Sequence, residues 1–131
     1  MAVAAERARL IGITVALMLV SLPHALEDFH YGDLMRLGVG PSAGAAILAT
    51  MYAAQLAGIA WTARGSRIGL AVLGLAGTIW CVGAIAIHGR DLLYGGPDYR
   101  HGLISKLLEV LIILFGALTA WLSLRAARTG A

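Results

Sequence analysis

Four histidines, and the acids spaced around them, are the residues of this chain whose types could do chemistry: His24, His30, His88 and His101. Imidazole ligates metals and moves protons near neutral pH. Around the first of them the order is Pro23-His24-Ala25-Leu26-Glu27-Asp28-Phe29-His30. Residues three and four apart share a helix face, so a helix resuming after Pro23 would align His24, Glu27 and Asp28, with His30 three beyond Glu27. A Glu-x-x-His pair is how carboxylate-bridged metal bundles present ligands, although those sites draw such pairs from two helices. Zinc takes about four nitrogen, oxygen or sulfur ligands; His24, Glu27, His88 and His101 make one such set for a divalent metal. Haem would instead take His24 and His88 as axial ligands, with Arg36 or Arg100 near its propionates. The plain alternative is a group of hydrated side chains at an interface.

Glu109 is the one acid inside an apolar run, and acids in that setting are candidates for proton or ligand work. Lys106 stands three residues before it, the spacing of a helical ion pair. Gln55 is a second polar residue in an apolar run, suited to a hydrogen bond between helices. Cys81 is single, so no disulfide forms within the chain, and it reads as a small buried hydrophobe.

The elements that must position these groups are four long apolar stretches, Leu10–Leu26, Ala43–Ala63, Ile68–His88 and Leu107–Leu124. A hydrocarbon core of roughly 30 Å needs about 17–25 apolar residues in a helix. Hydrophobic residues make up 60% of the 131 positions and charged ones only 13%. A soluble domain carries about 25% charged residues. The chain is therefore read as a single all-α domain, an integral membrane bundle of four transmembrane helices in contact with lipid. Arg7 and Arg9 ahead of Leu10–Leu22 could open a signal peptide, but Leu22-Pro23-His24-Ala25 lacks the small-x-small cleavage pattern. The first span is expected to be retained.

The arginines stand singly or in pairs at span ends rather than on one face, which argues for topology signals and against a nucleic-acid partner. Four spans put both termini and the Arg64-Gly65-Ser66-Arg67 connector on one side, with Arg7, Arg9, Arg64, Arg67, Arg125 and Arg128 against Glu6 alone. The other side holds Arg36, Arg90, Arg100 and Lys106 against Glu27, Asp28, Asp33, Asp91, Asp98 and Glu109. Basic residues prefer the cytoplasmic side. A multi-pass protein of the cell membrane with both termini cytoplasmic is the expectation, with segments 27–42 and 89–106 facing outward. The first of these reads as lying among lipid headgroups; the second has a turn at Tyr94-Gly95-Gly96-Pro97-Asp98-Tyr99.

Small residues predict where helices meet, because in lipid packing rather than hydrophobicity drives association. Ala45, Ala49, Ala53 and Ala57 form one stripe on the second span, beside Ala46, Thr50, Ala54, Gly58 and Thr62; the third span offers Gly69, Gly74, Gly77, Cys81 and Ala84. The stripe serves either the bundle itself or a contact with another membrane chain or a second copy.

The layout resembles the DoxX-like group of small four-helix membrane proteins. The matching stretches are Pro23-His24-Ala25-Leu26-Glu27, then Leu37-Gly38-Val39-Gly40-Pro41 leading into an alanine-rich span, and His88-Gly89-Arg90-Asp91 closing the third. Family members often carry an acid in the second span, where this chain has Gln55. Some are associated with quinone-linked sulfur oxidation or membrane redox complexes, so the resemblance implies a redox accessory role. The chain has no paired-cysteine redox motif, Gly-x-Ser-x-Gly elbow, phosphate loop or His-Glu-x-x-His, which speaks against a self-sufficient enzyme. An accessory or structural membrane subunit is the leading expectation; a metal- or haem-binding protein and a small proton-coupled transporter through Glu109 stand as alternatives.

Overall fold

The computed structural model describes residues 2–96 and 99–130. It is an all-α bundle of four long helices, α1 (Ala2–Tyr31), α3 (Pro41–Ala63), α4 (Arg67–Tyr94) and α5 (Leu103–Thr129), with a single helical turn, α2 (Asp33–Arg36), between the first two. All four long helices are apolar and long enough to cross a bilayer, and the protein is a multi-pass membrane protein. Going round the bundle, α1 packs on α3, α3 on α4, α4 on α5 and α5 on α1. The N-terminal end of α1, the α3–α4 connector and the C-terminal end of α5 gather at one end. There Arg7 Nη2 donates to the Gly65 carbonyl at 3.4 Å and Arg125 Nε lies 3.0 Å from Glu6 Oε1.

Local signals explain where the helices stop. Gly32, at φ 73°, separates α1 from α2 in a left-handed conformation that glycine adopts without strain. Pro41 occupies the first turn of α3, where its missing N–H costs nothing. The Ser66 hydroxyl caps α4 by accepting from the Ile68 N–H at 3.2 Å. α5 begins after Gly102 and ends at Gly130, again left-handed at φ 73°.

Two expectations about these elements are corrected. Pro23 does not break α1, which is continuous to Tyr31; a proline lacks one N–H, and a helix braced by neighbours in a membrane tolerates that loss. The helices also outrun the apolar stretches, because hydropathy reads the bilayer's thickness rather than the helix's length. The outward segments shrink accordingly, residues 27–31 and 89–94 being helical. Pro97 and Asp98 of the expected turn lie outside the described residues.

The interior is more polar than the outer wall. Thr14, Ser21, Gln55, Thr62, Ser105, Glu109, Thr119 and Ser123 are buried, while Leu19, Leu75, Val82 and Leu107 are exposed. That inversion suits a bundle whose surroundings are lipid. Leu10, Leu70, Leu73 and Ala126 fill one half of the core, and Leu17, Ala84 and Ile112 the other.

The seam between helices is made by glycine, not by the alanine stripe. A Cβ at Gly77 would lie 2.7 Å from the Gly116 carbonyl oxygen, and one at Gly116 would lie 2.8 Å from that of Gly77, so α4 and α5 meet backbone to backbone. Gly74 faces Ser123 across the same seam, and Gly58 faces Leu73 between α3 and α4. Ala45, Ala49 and Ala53 are exposed and Ala57 is half-buried. The stripe is therefore not the bundle's internal packing surface. The buried row of α3 is Gly44, Gln55, Gly58 and Thr62.

Candidate functional site

At the end of the bundle opposite the connector, α1, α2, α4, α5 and the 99–102 loop converge on a cluster of charged groups. His24 and Asp28 are one turn apart on α1, and His88 reaches them from α4. His24 Nε2 lies 3.7 Å from Asp28 Oδ2, and His88 Nε2 lies 3.6 Å from Asp28 Oδ1. The two imidazoles touch edge to face, with centroids 4.7 Å apart and planes at 80°. Both histidines are buried.

The far side of His88 faces α5. Its Nδ1 is 3.8 Å from Glu109 Oε1 and 3.5 Å from the Tyr99 hydroxyl. Glu109 is fully buried, and among the described residues its polar neighbours are the His88 imidazole and the Tyr99 hydroxyl, neither closing a hydrogen bond of ordinary length to it. Burial, and then the Glu109 carboxylate beside it, push the Tyr99 phenol above its usual range, so it stays protonated as a donor. Lys106 does not pair with Glu109 as the spacing suggested. Its ammonium donates instead to the Gly95 carbonyl, holding the end of α4.

Arg100 ties the remaining acids together. Its guanidinium is 2.8 Å from Asp28 Oδ1 and 4.0 Å from Glu27 Oε2, and it also pairs with Asp33 of α2. Its side chain is 4% exposed, and the Tyr31 and Tyr99 rings lie 5.8 and 5.2 Å from it. Glu27 turns toward α5, where Ser105 Oγ donates to Glu27 Oε2 at 2.9 Å. His101 sits at the rim, exposed, 3.9 Å from Glu27 Oε1.

The expected four-ligand set is thus divided. Glu27 and His101 belong to the Ser105 and Arg100 side, and the carboxylate between His24 and His88 is Asp28. Ligand atoms of His24, Asp28 and His88 all lie within 4.8 Å of one another. His30 packs on Tyr31 instead. Haem does not fit: axial imidazoles face each other across a macrocycle, and here the rings are in contact. Arg36 is exposed and bound to Asp33, and Arg100 is engaged by carboxylates, so neither is free for propionates. Gln55 lies deeper, its Oε1 accepting from Trp80 Nε1 at 3.1 Å across α3 and α4.

Beside this cluster is a cavity of about 280 Å³ between α1, α3 and α4. Its walls are apolar, from Phe29, Leu34, Ile47, Met51, Trp80 and Ile87 among others, and its polar end is formed by His24, Asp28 and His88. Tyr99 and Ser105, which no spacing rule singles out, complete the site together with Asp33 of α2. The one signal for them was position: Tyr99, Arg100, His101 and Ser105 crowd the start of the last span. No protein-family model matches the chain, and no curated protein or solved structure matches it.

Proposed function

We propose that this chain is an accessory membrane subunit that holds a quinone-class molecule, a flat polar ring on an apolar tail, at the end of its bundle. The single observation that carries the reading is the cavity, apolar along its walls and polar only where His24, Asp28 and His88 meet. Ligand pockets are commonly about 300–1,000 Å³, apolar with a few convergent polar groups, and about 280 Å³ suits a single-ring head group. A ring carbonyl would accept from an imidazole N–H, while Asp28 would accept a hydrogen bond from a ring hydroxyl. The tail would follow the apolar walls toward lipid. The layout resemblance to DoxX-like proteins, some of them linked to quinone chemistry, supports the same role.

Gly83 lines the cavity, and a Cβ there meets nothing within 4 Å. Gly83→Leu is therefore expected to fill the space without straining the helix. Quenching of Trp80 fluorescence by an added short-tail quinone should weaken at least about tenfold in this variant, equivalent to ~1.4 kcal/mol. Trp80→Phe removes the signal of interest from that of the other two tryptophans. Quinone binding unchanged by Gly83→Leu would sink the proposal, and a protein that conducts protons through Glu109 without binding quinone would replace it with the transporter reading.

The site end is proposed to face outward and both termini the cytoplasm, supported by the arginine imbalance. An Arg64→Cys variant in a Cys81→Ala background is expected to escape an impermeant thiol reagent in intact cells. Labelling of Arg64→Cys before lysis would invert the orientation.

A further inference from the structure

We propose that His24, Asp28 and His88 bind a divalent first-row transition-metal ion, with Glu109 and Arg100 holding the ligands in place from outside. The ion would sit at the polar end that the proposed quinone head group meets, and the two are tested apart: Co²⁺ binding without quinone here, Trp80 quenching there.

Spacing is the first argument. Asp28 presents one oxygen to each imidazole at 3.7 and 3.6 Å, too far for a hydrogen bond. Two ligand atoms each about 2.0–2.2 Å from a shared ion, at a tetrahedral angle, lie about 3.4 Å apart. The His24 Nε2 to Asp28 Oδ2 pair is close to that, and one ligand atom from each of the three residues lies within 4.8 Å of the other two, so the imidazoles would draw in on the ion by about 1 Å or less. Two imidazoles and one carboxylate from two helices would leave the remaining coordination positions open, and the cavity borders the same three residues.

The surroundings are the second argument. A metal-binding histidine usually gives its other ring N–H to a carboxylate, which fixes the tautomer and makes the ligand more basic. His88 is arranged in that way: Nε2 faces Asp28, while Nδ1 faces Glu109 and the Tyr99 hydroxyl. Glu109 is fully buried with no ordinary hydrogen bond among the described residues, a costly state that a cation one imidazole away would relieve. Arg100, on Asp28 Oδ1, leaves Oδ2 for the ion.

Charge is the third. Glu27, Asp28, Asp33 and Glu109 crowd this end. Arg100 meets the first three, and Arg36 pairs with Asp33 from the exposed side, which among the described residues leaves Glu109 with no guanidinium and Glu27 and Asp28 sharing one. Lys106 is turned to the Gly95 carbonyl, and His101 stands at the exposed rim. Glu27 and Glu109 are buried and Asp28 is half-buried beside them, and carboxylates so placed favour a further positive charge. Two neutral imidazoles beside them make a metal ion the fitting source, since nitrogen ligands select transition metals over magnesium and calcium.

The test uses the full chain in nanodiscs, stripped with chelator and titrated with Co²⁺. One ion per chain is expected, displaced by Zn²⁺, with paramagnetically shifted imidazole proton signals from two histidines in the wild-type protein. His24→Ala and Asp28→Asn should abolish stoichiometric binding, while Glu27→Gln and His101→Ala retain it. Glu109→Gln, which keeps the three ligands, should weaken affinity about ten- to a hundredfold. Absence of stoichiometric Co²⁺ in the wild type, or shifted signals from fewer than two histidines, overturns the proposal even if every variant misfolds. So does loss of binding in His101→Ala with retention in His24→Ala.

Discussion

Leucine at Gly77 is expected to unfold much of the detergent-solubilised protein, while leucine at Ala53 leaves the isolated bundle nearly unchanged. At Gly77 even a methyl group would come within 2.7 Å of the Gly116 carbonyl oxygen and 2.8 Å of the Ala120 nitrogen. Those are backbone atoms, which cannot rotate away, so α4 and α5 would have to separate along their whole contact. Separation would also uncover Gly74 against Ser123, the next contact along the seam. Overpacking typically costs about 1–3 kcal/mol and occasionally more; a backbone clash belongs at the upper end. Ala53 is exposed, and a larger apolar side chain there meets lipid or detergent. Folded fraction in a graded detergent-denaturation series, read by helical circular dichroism and gel filtration, checks the contrast. Equal midpoints for Gly77→Leu and Ala53→Leu would show that the seam is not where the backbones meet.

That contrast also shows how far the sequence could be read. The four spans were legible because a bilayer imposes a length on apolar runs, and nothing else in the chain competes with that signal. The alanine stripe misled because smallness alone does not say whether a face meets a helix or lipid; alanine is at ease against both. The better marker on α3 was polarity: Gln55 and Thr62, with Gly58 between them, are buried, and lipid would leave such groups unsatisfied. In the site, His24 and Asp28 were on one face by helical spacing. Their meeting with His88 depends on the rotation of α4 about its own axis, which its small residues encode: Gly77, Cys81, Ala84 and His88 follow at spacings of four and three, so the packed face of α4 carries His88 inward. The Glu27–Ser105 bond joins residues 78 apart in the chain and follows only from α1 packing against α5. Lys106 and Glu109 illustrate the limit of local rules, since spacing allowed a pair that the end of α4 draws away.

Arg100→Ala is expected to cost about 3–5 kcal/mol, the range for removing one partner of a buried ion pair. Three carboxylates from two separate elements, Glu27 and Asp28 of α1 and Asp33 of α2, meet this one guanidinium. Without it they repel one another in a setting that water screens little, and α2 loses a charged tie to the bundle. Arg100→Lys should recover only part of the loss, because a single ammonium lacks the planar fork that reaches several carboxylates together. The backbone offers a control. Arg100 has φ 50°, a left-handed conformation that costs a residue with a Cβ roughly 1–2 kcal/mol. Alanine keeps that cost, whereas glycine removes it. Arg100→Gly should therefore be less damaged than Arg100→Ala by about 1 kcal/mol, yet still well below the wild type. Asp28→Asn placed in the Arg100→Ala background should restore stability, since it deletes the half-buried charge whose guanidinium partner has gone, whereas Asp33 keeps Arg36; the same change in the wild-type chain should weaken it. Such a reversal of sign is the mark of coupled charges and would not arise from a packing defect. Denaturation midpoints in nanodiscs for the four variants and the double variant give the answer. An Arg100→Ala protein within about 0.5 kcal/mol of the wild type, the scale of an ordinary surface change, would mean that the carboxylates are held apart by something other than this arginine.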